Sequence, residues 1–142
     1  MKARQQSKAG FTLVELMVVA IIVAILAAVS IPLMSGNKRR AAASEAEAAL
    51  GSIRSAMRAN FAETAAYNVK PGGSIAAGDA ASSVPGIGTN DLEGTYWQQG
   101  NYTVSAVGAN TYTLRATGSS HPLVSGVTIT MNETGGVSRV GL

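Results

Sequence analysis

The chain has 142 residues, room for one small domain and a tail, and is 46% hydrophobic with only 13% charged residues, about half the usual charged share. With no cysteine and a single histidine, His121, it has no material for disulfides, thiolate zinc sites or cysteine nucleophiles, and almost none for a Ser-His-Asp triad or a His-rich metal site. The formal net charge of +3 comes from Lys2, Arg4 and Lys8 alone: residues 11–142 balance eight basic against eight acidic side chains, so basicity argues little for a nucleic-acid partner, and none is expected.

Residues 1–10 are short, polar and positive. An apolar run then extends from Phe11 to Met34 with one charge inside it, Glu15. As a helix that run reaches about 36 Å, enough to cross a hydrocarbon core of about 30 Å. It exceeds the 7–15 apolar residues typical of a cleaved secretory signal, although Ala27-Ala28 mimics a cleavage site. Pro32 and then Ser35-Gly36-Asn37 predict a kink or break, after which residues 35–66 read as a second, amphipathic helical stretch. Its apolar stripe is Ala46, Ala49, Leu50, Ile53, Ala56, Met57 and Phe61, at spacings of three and four, with Glu45, Glu47, Arg54, Arg58 and Glu63 left to face water.

Residues 67–142 read as a globular head. Pro71-Gly72-Gly73, Gly78 and Pro85-Gly86-Ile87-Gly88 break up residues 67–100 into a connecting loop, with Tyr96 and Trp97 pinning its end to the core. Alternation then predicts strands: Tyr102, Val104 and Ala106 on one face, then Tyr112, Leu114 and Ala116, then Val127, Ile129 and Met131, and a short Val137–Val140 segment. Short connections favour an antiparallel meander of about four strands, and the stripe of the second helical stretch needs such a surface to cover. The expected class is α+β, a helix of about 55 residues interrupted near Pro32, its second half packed on the sheet.

An ionised carboxylate within a bilayer costs roughly 2.5–3.5 kcal/mol or more, so Glu15 is expected to have a partner. Cleavage after Gly10 would create one, a positive amine on Phe11. Within one chain the helix holds that amine about a turn away from Glu15; the amine of a neighbouring, axially shifted copy reaches it. A single charge pair would then neutralise the acid and set the stagger between copies.

At this point the chain resembles the type IV pilins and the type II secretion pseudopilins. The resemblance lies in Gly10-Phe11-Thr12-Leu13-Val14-Glu15-Leu16-Met17, continuing through Ala27-Ala28-Val29-Ser30-Ile31-Pro32, about a quarter of the chain. It implies that residues 1–10 are a leader, cut between Gly10 and Phe11 by a prepilin peptidase that also N-methylates Phe11. It implies a head held outside the inner membrane by residues 11–34, and then assembly of those residues into a homo-oligomeric filament core by an inner-membrane platform with a cytoplasmic ATPase. Glu15 and Pro32 are the assembly residues so implied. The product is either an extracellular pilus, with an adhesive or mechanical role, or the periplasmic fibre of a secretion system. The chain departs from the family in having Ala24 where a glycine often precedes the proline by eight residues, and in lacking the C-terminal cysteine pair.

Other signals are thinner. Lys38-Arg39-Arg40 suits anionic headgroups, a neighbouring subunit or plain solvent. Asp91 and Glu93, near Asn90 and Asp79, are the only candidates for calcium, and no cofactor is expected. Asn101-Tyr-Thr and Asn132-Glu-Thr match the N-glycosylation pattern, and His121 before Pro122 reads as a surface residue. No clustered nucleophile, base and acid stand out, and the glycine pairs lack the Gly-Lys-Ser/Thr ending of a phosphate loop, so an enzyme is not expected.

Overall fold

A single α-helix, α1, opens the fold and runs from Leu13 to Thr64. The computed structural model describes residues 10–119 and 121–142, so Lys2, Arg4 and Lys8 lie outside the described residues. The chain divides into two compact units, one ending at Gly36 and the other comprising Asn37–Leu142.

In the first unit no side chain from Gly10 to Gly36 is buried. Phe11 is 81% exposed, and the least exposed large apolar residue of the run, Val18, is still 49% exposed. The helix contains a stretch long and apolar enough to cross a membrane by length and composition. The expected break is not seen: the helix continues through Pro32 and Gly36. Proline deletes only one backbone donor, and its fixed φ near −65° is itself helical. The Ser35 hydroxyl, moreover, donates to the Pro32 carbonyl at 2.9 Å.

In the second unit α1 buries one stripe: Ala42, Ala43, Ala46, Leu50, Ile53, Met57 and Asn60. Ala49 and Ala56 are partly buried against the same core, and Phe61 stacks at a tilt on Tyr67, ring centroids 4.4 Å apart. Ala65, in the left-handed conformation (φ 59°), ends the helix, and its N–H returns to the Phe61 carbonyl. Residues 67–100 hold a two-residue hairpin, β1 (Val69–Lys70) with β2 (Gly73–Ser74), and a 3-10 turn at Ala81–Ser83; a second such turn, Gln99–Asn101, leads into the sheet.

The sheet is a meander of four antiparallel strands: β3 (Tyr102–Val107), β4 (Tyr112–Thr117), β5 (Thr128–Asn132) and β6 (Val137–Val140), in that spatial order. Val104 pairs with Leu114, and Leu114 with Met131, so the apolar alternation of the strands falls in register on one face. One assignment is corrected. The pairing of β3 with β4 slips between Val104 and Ala106, a β-bulge at Ser105 whose hydroxyl donates to the Thr113 carbonyl. The extra residue reverses the alternation: Ala106 is exposed and Val107 packs toward the core instead. Gly118, after β4, is required by close approach, because a Cβ there would run into the Val124 backbone carbonyl.

The fold is therefore α+β, a long N-terminal helix whose later part packs on a C-terminal four-stranded antiparallel sheet. Trp97, Tyr102, Tyr112, Leu50, Ile53, Leu114 and Ile129 are the large side chains at its centre.

Candidate functional site

The residues singled out by the sequence lie where α1 begins. Gly10 and Phe11 precede the helix and are exposed. Among the described residues a Cβ added to Gly10 would meet nothing within 4 Å, so the described fold does not require glycine there. Glu15 stands in the first turn of α1.

The carboxylate of Glu15 is engaged by Thr12. Its Oε2 accepts from the Thr12 N–H at 2.8 Å and from the Thr12 hydroxyl at 2.9 Å, while the Thr12 hydroxyl accepts from the Glu15 N–H at 3.2 Å. This is a reciprocal capping box: Thr12 is the N-cap and Glu15 the third helical residue, and two otherwise orphaned donors are satisfied. The Thr-x-x-Glu spacing in the sequence is a signal that could have located it. The acid is also placed where the helix dipole favours a negative charge. Only Oε2 is used, so Oε1 makes no hydrogen bond among the described residues. A local cap thus holds the carboxylate in a fixed pose with one oxygen free for a cation from elsewhere.

Pro32 lies within α1, exposed like its neighbours, and its carbonyl accepts from the Ser35 hydroxyl. Ala20, Ala24 and Ala28 recur at every fourth position in this stretch, on one side of the helix.

In the head, three charged residues expected to face water turn inward or across. Half-buried Glu45 accepts from the backbone N–H groups of Tyr96 (3.0 Å) and Trp97 (3.1 Å), which ties the end of the connecting loop to α1. A Cβ on Gly94 would occupy the space of that carboxylate. Trp97, fully buried, adds a bond from its indole Nε1–H to the Ala42 carbonyl at 2.7 Å. Glu47 forms an ion pair with Arg139 of β6, with Nη2 to Oε2 at 2.8 Å. The guanidinium's hydrogen bonds hold the Glu47 carboxyl below the usual carboxylate range and raise Arg139. Arg54 Nε donates to the Glu133 carbonyl at 3.1 Å. Side chains flanking a buried stripe reach around its edge, which hydropathy patterning does not register.

Two tyrosines are shifted by burial. Tyr112 is pushed up to about 12, with the neighbouring Tyr67 adding to the effect, and its hydroxyl is buried without a hydrogen-bond partner. Tyr102 is also raised, chiefly by burial, with the carboxylates of Glu45 and Glu93 adding to it.

The calcium candidates are occupied otherwise. Asp91 Oδ2 accepts from the Gly88 N–H at 2.7 Å, and Glu93 Oε1 from the Gln99 N–H at 2.9 Å. Among the described residues no three His, Asp or Glu side chains gather as a metal-ion site. Asn101 is 8% exposed, its side chain accepting from the Gln98 N–H at 2.8 Å and donating to the Ser119 hydroxyl at 2.9 Å. The Asn132 Oδ1 accepts from the Gly136 N–H at 2.7 Å in the β5–β6 turn. His121 is half-buried rather than exposed, edge-on to Tyr96 at 5.2 Å, its Nδ1 accepting from the Leu123 N–H.

Residues 5–31 match a family described as the prokaryotic N-terminal methylation motif. That stretch contains Gly10, Phe11, Thr12 and Glu15. Among solved structures the chain is similar to the non-core minor pilin PilV of Neisseria meningitidis, in its orthorhombic crystal form, at 18% identity and a TM-score of 0.49, covering 75% of this chain and 90% of that one. No curated protein matches the chain.

Proposed function

We propose that this chain is a structural subunit of a type IV pilus filament. It is cut between Gly10 and Phe11 by a prepilin peptidase, N-methylated at Phe11, and polymerised through residues 11–34. Before assembly those residues sit in the inner membrane with the head on the outer side; a platform with a cytoplasmic ATPase then draws them into the fibre. The folded chain performs no chemistry of its own.

The observation that carries this reading is the exposure of the entire apolar run, from Phe11 to Met34, behind the matched methylation motif. So much exposed apolar surface is unstable in water and demands a cover, first lipid and then identical helices of neighbouring copies. Ala20, Ala24 and Ala28 allow those helices to approach closely. Glycine at position 10 answers a need outside the chain's own fold, which is what a processing enzyme's recognition would supply. Glu15 is held by Thr12 with one oxygen free, so the amine of a neighbour's Phe11 can pair with it without first dismantling the cap.

The sharpest test is Glu15→Gln, which keeps an acceptor for Thr12 but removes the charge. Loss of a charged hydrogen-bonded partner in a dry site is worth about 1.5–3 kcal/mol, so filament yield should fall by about tenfold or more at unchanged membrane insertion. Assembly at the wild-type level would show that the cap alone accounts for Glu15. Electron microscopy of the same cells separates a long surface fibre, the expected result, from the short periplasmic fibre of a secretion system.

A further inference from the structure

Three consecutive cations, Lys38, Arg39 and Arg40, follow the apolar run, with only Ser35, Gly36 and Asn37 between them and Met34. All lie on α1. At about 1.5 Å per residue, Lys38 stands about 6 Å along the helix beyond Met34. If Met34 marks the edge of the hydrocarbon, that is the depth of the headgroup layer, about 5–7 Å on each side of the bilayer. Successive residues turn by about 100°, so the three side chains fan over about 200° of the helix girth. Lys38 and Arg40 are exposed, and none of the three makes a hydrogen bond or ion pair among the described residues.

A fourth cation comes from a different element. Arg139 of β6 lines a depression of about 390 Å³ together with Arg40, Ser44 and Glu47. Glu47 takes Nε and Nη2 of Arg139, which fixes the guanidinium and leaves Nη1 without a partner among the described residues. A protein partner would touch α1 on one side. Cations spread around the helix and continued by the last strand suit instead an anionic layer that surrounds it. Cations on a translocated flank also oppose the positive-inside bias, so they are kept against a topological cost.

We propose that Lys38, Arg39, Arg40 and Arg139 form a binding surface for the phosphates of anionic phospholipids in the membrane leaflet beside the head. This rests on the reading of residues 11–34 as a membrane anchor. The surface fixes the depth of the subunit before assembly, and its lipids must be shed when the subunit is drawn into a fibre.

The test is native mass spectrometry of the full chain released from micelles holding equal amounts of phosphatidylglycerol and phosphatidylcholine. The wild-type chain should retain phosphatidylglycerol in preference. Each cation near an anionic surface is worth about fivefold, so the K38Q/R39Q/R40Q triple variant should lose the preference by roughly a hundredfold, and R139Q by about fivefold or less. E47Q removes the one acid of the patch and should strengthen the preference. An unchanged unfolding midpoint of the head guards against misfolding of the triple variant. Equal retention of the two lipids by the wild-type chain would overturn the proposal. So would displacement of phosphatidylglycerol by inorganic phosphate, which points to a soluble ligand, or a triple variant that keeps its lipids but fails to assemble, which points to a neighbouring subunit. The anchor is read separately, by resistance to alkaline washing from phosphatidylcholine vesicles: a chain that washes off contradicts the anchor reading, whereas one that stays but shows no lipid preference contradicts only this inference.

Discussion

The same helix meets two opposite environments. From Phe11 to Met34 the apolar side chains are all exposed, whereas Ala42, Ala43, Ala46, Leu50, Ile53 and Met57 of the later stripe are buried and Ala49 and Ala56 partly so. The second stretch is amphipathic and its partner is the chain's own sheet. The first is apolar on all sides, and its side chains are exposed among the described residues. Helix propensity alone does not tell the two apart; the angular spread of apolar residues does, because a one-sided stripe needs one partner and an all-round surface needs a solvent of its own kind. On the proposed function the first half is left for lipid and other copies, whereas the second is a folding problem solved within one molecule.

Substitutions break this contrast most strongly in the core. Leu114→Ala, at a fully buried position between β3 and β5, should cost about 2–5 kcal/mol of head stability by denaturant titration of the full chain in detergent. Leu16→Ala, in the exposed run, should leave the same titration within about 0.5 kcal/mol while lowering filament yield. Equal effects of the two on head unfolding would erase the distinction between the halves.

Next comes the tie between helix and loop. Glu45→Ala strands the N–H groups of Tyr96 and Trp97 and should cost about 1–3 kcal/mol, with Trp97 fluorescence shifting to the red as its surroundings open. Tyr112→Phe should be neutral or slightly stabilising, because the hydroxyl it removes is buried without a partner. It also carries a sign in pH. Tyr112 stays protonated in the folded head up to about 12, while the unfolded chain ionises near 10. Its contribution is fully present below pH 10 and drains away between about 10 and 12. In Tyr112→Phe the alkaline fall in stability should be shallower, with the part due to Tyr102 remaining.

The smallest effect belongs to Arg139→Gln. The ion pair with Glu47 is largely solvent-exposed, and such pairs contribute little. The head's unfolding midpoint should barely move at neutral pH. Because Arg139 depresses the Glu47 carboxyl, whatever the pair contributes is present above the ordinary glutamate range and disappears as pH falls through the lowered value.

Much of this was legible in the sequence where the signal is local. The run from Phe11, the place of Glu15 within it, the stripe from Ala46 to Met57 and the four-strand meander all follow from periodicity read over short windows. Ser105 escaped because a bulge shifts the alternation by one residue and leaves no compositional trace. The roles of Glu45 and Glu47 escaped because each depends on a group far off in sequence, the backbone at Tyr96 and Trp97 or the guanidinium of Arg139. Pro32 was read too strongly: a lost donor inside a helix is a local cost that flanking turns can absorb. The cap at Thr12 is readable from the Thr-x-x-Glu spacing, because both of its partners lie within one turn.

The central claim is that Glu15 is met by the freshly made terminus of another copy. The most direct measurement is the intact mass and N-terminal sequence of the protein recovered from fibres of its host. The account predicts a chain that begins at N-methylated Phe11. A fibre-forming chain that still carries residues 1–10 would contradict it, since Phe11 would then have an amide nitrogen and no amine to offer Glu15.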